Sequence, residues 1–393
     1  MSAKEELIRD VNDGMSVSVA AERHGVARSC AYKWVGRYKE DPVRGLEERS
    51  RVPEHSPNRT AQPVVNELLK LKRKYPDYGP AKLALMLNKR HGKHVLAAST
   101  AGQVLSRHGQ VQKRRTRERS AGPITHGPFQ VAGAGDTMTT DYKGQFRMGN
   151  GVLCYPLTIA DPFSRYVLTI DALPSTNMEG ARKGFERVFR EYGIPRQIIS
   201  DNGTPFCARN ALGGLTQLSR WFIELGILPI QIDVGHPEQN GIHERMHRTL
   251  KAWIRRHPQL SRCLQQRCFR SFRREFNHVR PHQALGQKTP ASAFQSYRPF
   301  SSRLSKLEYD TTMDVRSVRS NGYIKWGGGE LFLSEVLVGA DVGLTEIGEQ
   351  LWSIHFGSVR IGYLDGLTQR ALNRRPERPE NRPAPDLTLA GEP

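Results

Sequence analysis

The sequence predicts a multidomain α+β chain: helix-turn-helix units at the N-terminus, a central α/β core and a small C-terminal β-barrel. Three observations predict it. Helical periodicity dominates the first 110 residues, and short apolar runs broken by Gly and Pro turns begin at residue 136. After residue 305 only short strand-like runs remain, up to a Pro- and Arg-rich tail. At 393 residues the chain has room for two to four domains and at least one sizeable core.

Residues 1–50 read as a helix-turn-helix. Val19, Ala20 and Ala21 pack a first helix, Gly25-Val26 makes the turn, and Arg28 begins the second. Ala31, Trp34, Val35 and Tyr38 fall at i, i+3, i+4 and i+7, so they form its buried stripe. Arg28, Ser29, Lys33 and Arg37 then face outward, where contacts to a DNA groove or to phosphates would lie. Asp41 to Pro63 reads as a linker. A second helical unit occupies 60–110, with helices over 64–73, 80–90 and 99–108. Tyr78-Gly79-Pro80 opens the middle one with Pro in its first turn. The basic run 112–119, within a linker assigned to 111–135, fits a phosphate-tracking tether and a solvated linker equally well.

The core is assigned to 136–298. Thr137–Phe146, Val152–Asp161 and Arg165–Ala172 read as an antiparallel meander. A helix (178–192), a short buried strand (197–200), a helix (214–225), a strand (228–234) and a long basic helix from about Asn240 follow. Three antiparallel strands followed by alternating helices and strands is the ribonuclease-H-like order. Residues 305–365 read as the small barrel, and 366–393 as a disordered tail.

Charge narrows the function. The formal net charge is +20, and its placement says more than its total. Residues 1–135 carry 25 Lys and Arg against 13 Asp and Glu, residues 240–280 carry 11 against 2, and the remainder is close to neutral. Two dense basic zones suit nucleic acid. No apolar run is long enough to span a bilayer, and Met-Ser-Ala-Lys-Glu-Glu lacks a signal peptide's apolar stretch. Five scattered cysteines complete no tetrahedral zinc set and fit a reduced cytoplasm.

Three carboxylates in three separate contexts point to chemistry: Asp141 in Thr-Asp-Tyr-Lys-Gly, Asp201 in Ile-Ile-Ser-Asp-Asn-Gly, and Glu244 in Gln-Asn-Gly-Ile-His-Glu-Arg. Such groups gathered from distant segments suit hard cations such as Mg²⁺, and two ions ~3.5–4 Å apart can clamp the attacking and leaving oxygens of a phosphodiester. Asp141 and Asp201 become neighbours if the first and fourth strands of the core lie side by side. His243-Glu244-Arg245-Met246-His247 also matches the zinc-protease motif His-Glu-x-x-His. Helical phase opposes that reading. Ile242, Met246, Leu250, Trp253 and Ile254 form an apolar face, Glu244 shares a polar stripe with Arg248 and Lys251, and the two histidines lie at the border.

In combination these segments resemble the DDE transposases of bacterial insertion sequences with a retroviral-integrase-like core. The motifs are Thr-Asp-Tyr-Lys-Gly, Ser-Asp-Asn-Gly-Thr-Pro-Phe and Gly-His-Pro-Glu-Gln-Asn-Gly-Ile-His-Glu-Arg-Met-His-Arg-Thr-Leu-Lys, with Phe276–Ala291 behind them. The resemblance covers roughly residues 5–300. It implies that Asp141, Asp201 and Glu244 are catalytic and bind two Mg²⁺ or Mn²⁺ ions, and that Asn240, Arg248 and Lys251 contact DNA near the reacting phosphate. It implies DNA cleavage and strand transfer at terminal inverted repeats, by a homo-oligomer in a bacterial cytoplasm at the nucleoid. The sequence is silent on an accessory ATPase. The 42 residues between Asp201 and Glu244 exceed the family's common spacing; the surplus is assigned to Leu212–Leu218, with Glu238 as the rival third ligand. A DNA-binding regulator with an inactive core, and a nuclease without strand transfer, are the alternatives.

Overall fold

The computed structural model describes residues 3–48, 59–111, 133–233, 241–302, 304 and 306–376. Asn240, Glu238, the basic run 112–119 and the tail beyond 376 lie outside the described residues. The chain divides into two units, Met1–Val65 and Asn66–Pro393.

In the first unit, helices α1 (Ala3–Asn12), α2 (Val17–Arg23) and α3 (Arg28–Glu40) enclose Leu7, Ile8, Ala20, Ala21, Ala31 and Val35. Gly25, at φ +61°, makes the turn between α2 and α3, a conformation that costs glycine little. His24 Nε2 meets Asp10 Oδ2 at 2.8 Å and ties the turn to α1. The predicted stripe is inward, while Arg28, Ser29 and Lys33 are exposed and Arg37 half-buried.

Helix α4 (Gln62–Lys74) leads into the second unit, where α5 (Pro80–His91) and α6 (Ala98–Arg107) pack together. Asn88 fixes the turn between them: its Oδ1 accepts from Val95 N (2.8 Å) and Leu96 N (2.9 Å), and its Nδ2 donates to Leu96 O (3.0 Å).

The core follows the predicted order. Strands β1 (Thr137–Tyr142), β2 (Phe146–Arg147), β3 (Leu153–Ala160) and β4 (Val167–Leu173) precede α7 (Met178–Tyr192). Then come β5 (Gln197–Ser200), α8 (Gln217–Glu224), β6 (Leu228–Gln231), α9 (Gly241–Arg256) and α10 (Arg262–His278). β4, β3 and β1 run antiparallel in turn, and β1, β5 and β6 are parallel. Alternation along β3 explains the layers. Leu157 and Ile159 face Phe185, Phe189, Trp221 and Phe222 of α7 and α8. Cys154 joins Met246, Leu250, Phe269 and Phe272 of α9 and α10 on the other face. Caps set the helix starts: Asn177 Oδ1 accepts from Gly180 N (3.0 Å), and Thr216 and Ser219 form a capping box.

The C-terminal part departs from the predicted barrel. Strands β7 (Asp314–Ser317), β8 (Tyr323–Trp326), β9 (Gly329–Phe332), β10 (Asp341–Gly348), β11 (Leu351–Phe356), β12 (Val359–Asp365) and β13 (Arg370–Leu372) form a five-stranded sheet, β13-β12-β11-β10-β7, and a separate β8-β9 hairpin. Among the described residues no pairing closes them into a barrel. The apolar side of the sheet is covered by core side chains instead, Leu212, Leu215 and Ile223. Arg220 adds hydrogen bonds to Val336 O (2.6 Å) and Val338 O (3.0 Å). The surplus segment after Asp201 is therefore a docking element, with Gly213 N also donating to Asn373 Oδ1 at 2.7 Å. Strand β13 extends the sheet past Asp365, so the tail predicted from 366 is ordered at its beginning.

Candidate active site

Register brings the two aspartates together. β1 and β5 are parallel neighbours with Thr139 opposite Ile199, so Asp141, still within β1, and Asp201, just past the end of β5, stand at the same level, each two residues further along. The electrostatics agree. The Asp141 carboxyl is pushed up to about 7, first by burial, then by the negative charges of Asp201 and Glu244, against one backbone N–H that stabilises the anion. Asp201 is also raised by burial, opposed by the Gly203 amide, which donates to Asp201 Oδ1 at 3.2 Å. Asn202 Nδ2 donates to Ile232 O (2.7 Å) and holds the following loop against the end of β6.

Helix α9 brings the third carboxylate, and its histidines hold the helix in place. His243 is 1% exposed, with Nδ1 3.0 Å from Thr139 Oγ1 and Nε2 2.8 Å from Thr158 Oγ1. His247 Nε2 also lies 2.8 Å from Thr158 Oγ1, and Thr158 donates to Asp141 O at 2.8 Å. One hydroxyl can donate once and accept twice, which assigns the Nε2–H tautomer to both rings. Burial depresses both, His243 to about 4 and His247 to about 2, the latter also through His243 and Lys143, so both are neutral. Phase analysis placed His243 at the border of α9; the structure buries it, because Thr139 and Thr158 offer it partners that local sequence cannot reveal. Its Nε2 carries the proton and its Nδ1 is buried against Thr139 Oγ1, so His243 is enclosed by the core.

Thr158→Val keeps the shape but deletes three hydrogen bonds. At about 1–3 kcal/mol for each buried group left unpaired, the loss should be roughly 3 kcal/mol, measurable by urea denaturation. A change below about 0.5 kcal/mol would show that the network does not hold α9.

Glu244, Arg248 and Lys251 are exposed on one stripe of α9, as phase analysis predicts. Sequence reasoning missed Lys143. Burial depresses this ammonium, and the nearby charges of Lys251 and Arg255 depress it further, so it belongs to the same basic margin. Its place two residues after Asp141 was the available signal. Among the described residues no three His, Cys, Asp or Glu side chains stand close enough to hold a metal ion as they lie.

The integrase core domain family matches residues 132–237, and a second family of the same description matches 225–290. Together the two matches span residues 132–290. A helix-turn-helix domain family matches residues 3–53, and a homeodomain-like domain family matches 30–105. An insertion element IS476 uncharacterized 39.2 kDa protein of Xanthomonas euvesicatoria is 27% identical over 154 residues, 36% of this chain and 39% of that protein. The Gag-Pol polyprotein of woolly monkey sarcoma virus is 32% identical over 98 residues, 25% of this chain and 5% of the polyprotein. The chain thus spans less than half the length of either relative. The HTLV-2 integrase catalytic core domain, solved in complex with magnesium, is 14% identical, covers 42% of this chain and 100% of that one, and has a TM-score of 0.34. No helix among the described residues is long and apolar enough to cross a membrane. Asp141 and Asp201 lie within the first match and Glu244 within the second.

Proposed function

We propose that this chain is a DNA transposase, a DDE-type polynucleotidyl transferase that cuts DNA at the ends of a mobile element and joins the freed 3′-OH to target DNA. The carrying observation is the meeting of Asp141 and Asp201 at adjacent strand ends, with Glu244 near enough to raise the Asp141 carboxyl. These carboxylates, crowded and short of a counter-charge, fit a pair of Mg²⁺ or Mn²⁺ ions. Asp141 and Asp201 would hold the first ion and Glu244 the second. Bound there, the metal supplies a Lewis acid for the phosphate oxygens and acidifies water, so no covalent protein intermediate is required.

The remaining residues have supporting roles. Arg28, Ser29, Lys33 and Arg37 would read the terminal inverted repeats, which suits their position on α3. Arg248, Lys251 and Asn240 would contact DNA beside the reacting phosphate. Joining paired ends calls for a homo-oligomer on DNA. The test is incubation of labelled DNA carrying the element's ends with a plasmid target, in Mg²⁺ and in EDTA. Metal-dependent cleavage and joining is the expected result. Cleavage without joining of pre-cut ends would make the chain a nuclease, and end binding without cleavage in any metal would make it a regulator with an inactive core.

The Asp141 shift gives a pH prediction. Between about pH 4 and 7 folded Asp141 keeps a proton that the unfolded chain has released, so the folded state binds more protons there. Stability in EDTA should therefore fall as pH rises through that window, and Mg²⁺ should restore it at pH 8. Melting temperatures of the wild type minus those of Asp141→Asn, in EDTA, isolate the term. A difference that stays flat from pH 4 to 8 would refute it.

A further inference from the structure

On another face of α9 from the carboxylate stripe lies a cavity of about 220 Å³, where Lys82, Arg165, Arg245, Arg280 and His282 stand among apolar walls that include Met246 and Phe276. Its volume is below the ~300–1,000 Å³ typical of pockets for drug-sized ligands and suits a smaller group. We propose that this cavity grips a backbone phosphate of the DNA, one other than the phosphate that reacts.

One buried donor there, Arg165 Nη1, has no hydrogen-bond partner. Desolvated groups of that kind cost free energy until something meets them. The side chains also repel one another. Burial and Arg280 push the Lys82 ammonium down to about 8, and burial, then Arg245, destabilise the Arg165 charge. Burial first, then the charges of Lys82, Arg280 and Arg165, depress His282 to about 3. Among the described residues no carboxylate forms an ion pair with Lys82, Arg165, Arg245 or Arg280. Asp161, whose charge reaches Arg165, accepts instead from the Phe163 and Ser164 amides, and Glu275, whose charge reaches Arg280, accepts from the Tyr78 hydroxyl.

The cations are also held in place. Arg165 sits at φ +63° in the turn between β3 and β4, a conformation that a non-glycine residue adopts at a cost. Arg280 lies over the Tyr78 ring at 5.0 Å, and Lys82 over the same ring at 5.7 Å. A fixed, concave set of donors without acids matches a phosphodiester, whose charge would relieve the mutual repulsion.

Assigning the anion to DNA rests on the transposase reading, so the test has two arms. In the first, inorganic phosphate is added at constant ionic strength and melting is followed. Phosphate should raise the wild-type melting temperature over chloride and leave Arg165→Met unmoved. No rise in the wild type, or an equal rise in the variant, would overturn the site. In the second, binding of a fluorescein-labelled duplex is measured in EDTA from 50 to 300 mM KCl. Arg165→Met should bind about tenfold more weakly at low salt and lower the slope of log affinity against log salt by about 1. A lost phosphate response beside an unchanged slope would overturn the DNA assignment while keeping an anion site. A wild-type protein that binds no duplex would sink the transposase reading itself, and the phosphate arm would still judge the cavity. Lys82→Met, on a different element, carries the same expectations if Arg165→Met fails to fold.

Discussion

Asp201→Asn is expected to lower DNA cleavage and joining in Mg²⁺ by at least about 10³-fold while leaving duplex binding in EDTA within about twofold. The substitution preserves size and keeps an oxygen to accept from the Gly203 amide, so the turn after β5 persists. What disappears is one negative charge just past the end of β5, level with Asp141 of β1. A metal ion's stabilisation of transition-state charge is worth several kcal/mol, and roughly 4 kcal/mol corresponds to a thousandfold in rate. Binding should survive, because the dense positive charge lies in residues 1–135 and 240–280. The variant should also lose part of the upward push on Asp141, since Asp201 is the largest charge acting on it. Single-turnover assays on pre-formed complexes decide it. Retention of more than about a tenth of wild-type activity would remove Asp201 from the proposed metal-binding trio.

The second large effect is on folding. Asn277→Leu should destabilise the core by roughly 4 kcal/mol. Strand β4 lies at the edge of the sheet beyond β3, which would leave a row of its backbone groups unpaired. Helix α10 covers that edge with side chains. Asn277 is 1% exposed, its Oδ1 accepts from Val167 N at 2.9 Å, and its Nδ2 donates to Val167 O at 2.9 Å. Gln266 repeats the pattern, accepting from Ala172 N and donating to Ile170 O, each at 2.8 Å. Arg273 donates to Leu168 O between them. Leucine at 277 keeps the volume but leaves both Val167 groups unpaired in a dry place, at about 1–3 kcal/mol each plus strain. Hydrogen exchange of the Val167 amide reads the effect locally. Unchanged protection would show that water or a shifted backbone replaces the amide. Arg274→Ala, exposed on the same helix, is the control and should change stability by less than about 0.5 kcal/mol.

Much of this was legible in the residues. Spacing gave the buried stripe of α3, Pro80 the start of α5, and the change from helical to strand-like periods the beginning of the core. The strand order then implied that Asp141 and Asp201 would be neighbours, and the observed register agrees. The burial of His243 was not legible. Its phase lay at the edge of an apolar face, and only the approach of Thr139 and Thr158 makes burial favourable. The barrel is not confirmed, although the local reading behind it holds. The turns and strands exist, but closure depends on whether strand edges meet each other, and here core residues Leu212, Leu215 and Ile223 cover the apolar side.

The sequence by itself determined the element types, the chain order of the carboxylates and the basic zones, because each follows from periodicity, turn chemistry or charge within a short stretch. Tertiary structure alone decided what distant segments do to one another. It used the surplus after Asp201 to dock the C-terminal sheet, and Asn277 to complete an edge strand far from it in the chain. It also gathered Lys82, Arg165, Arg245, Arg280 and His282 around one cavity. The physical reason is that hydrogen bonding, desolvation and charge repulsion depend on distance in space, and separation along the chain does not fix that distance.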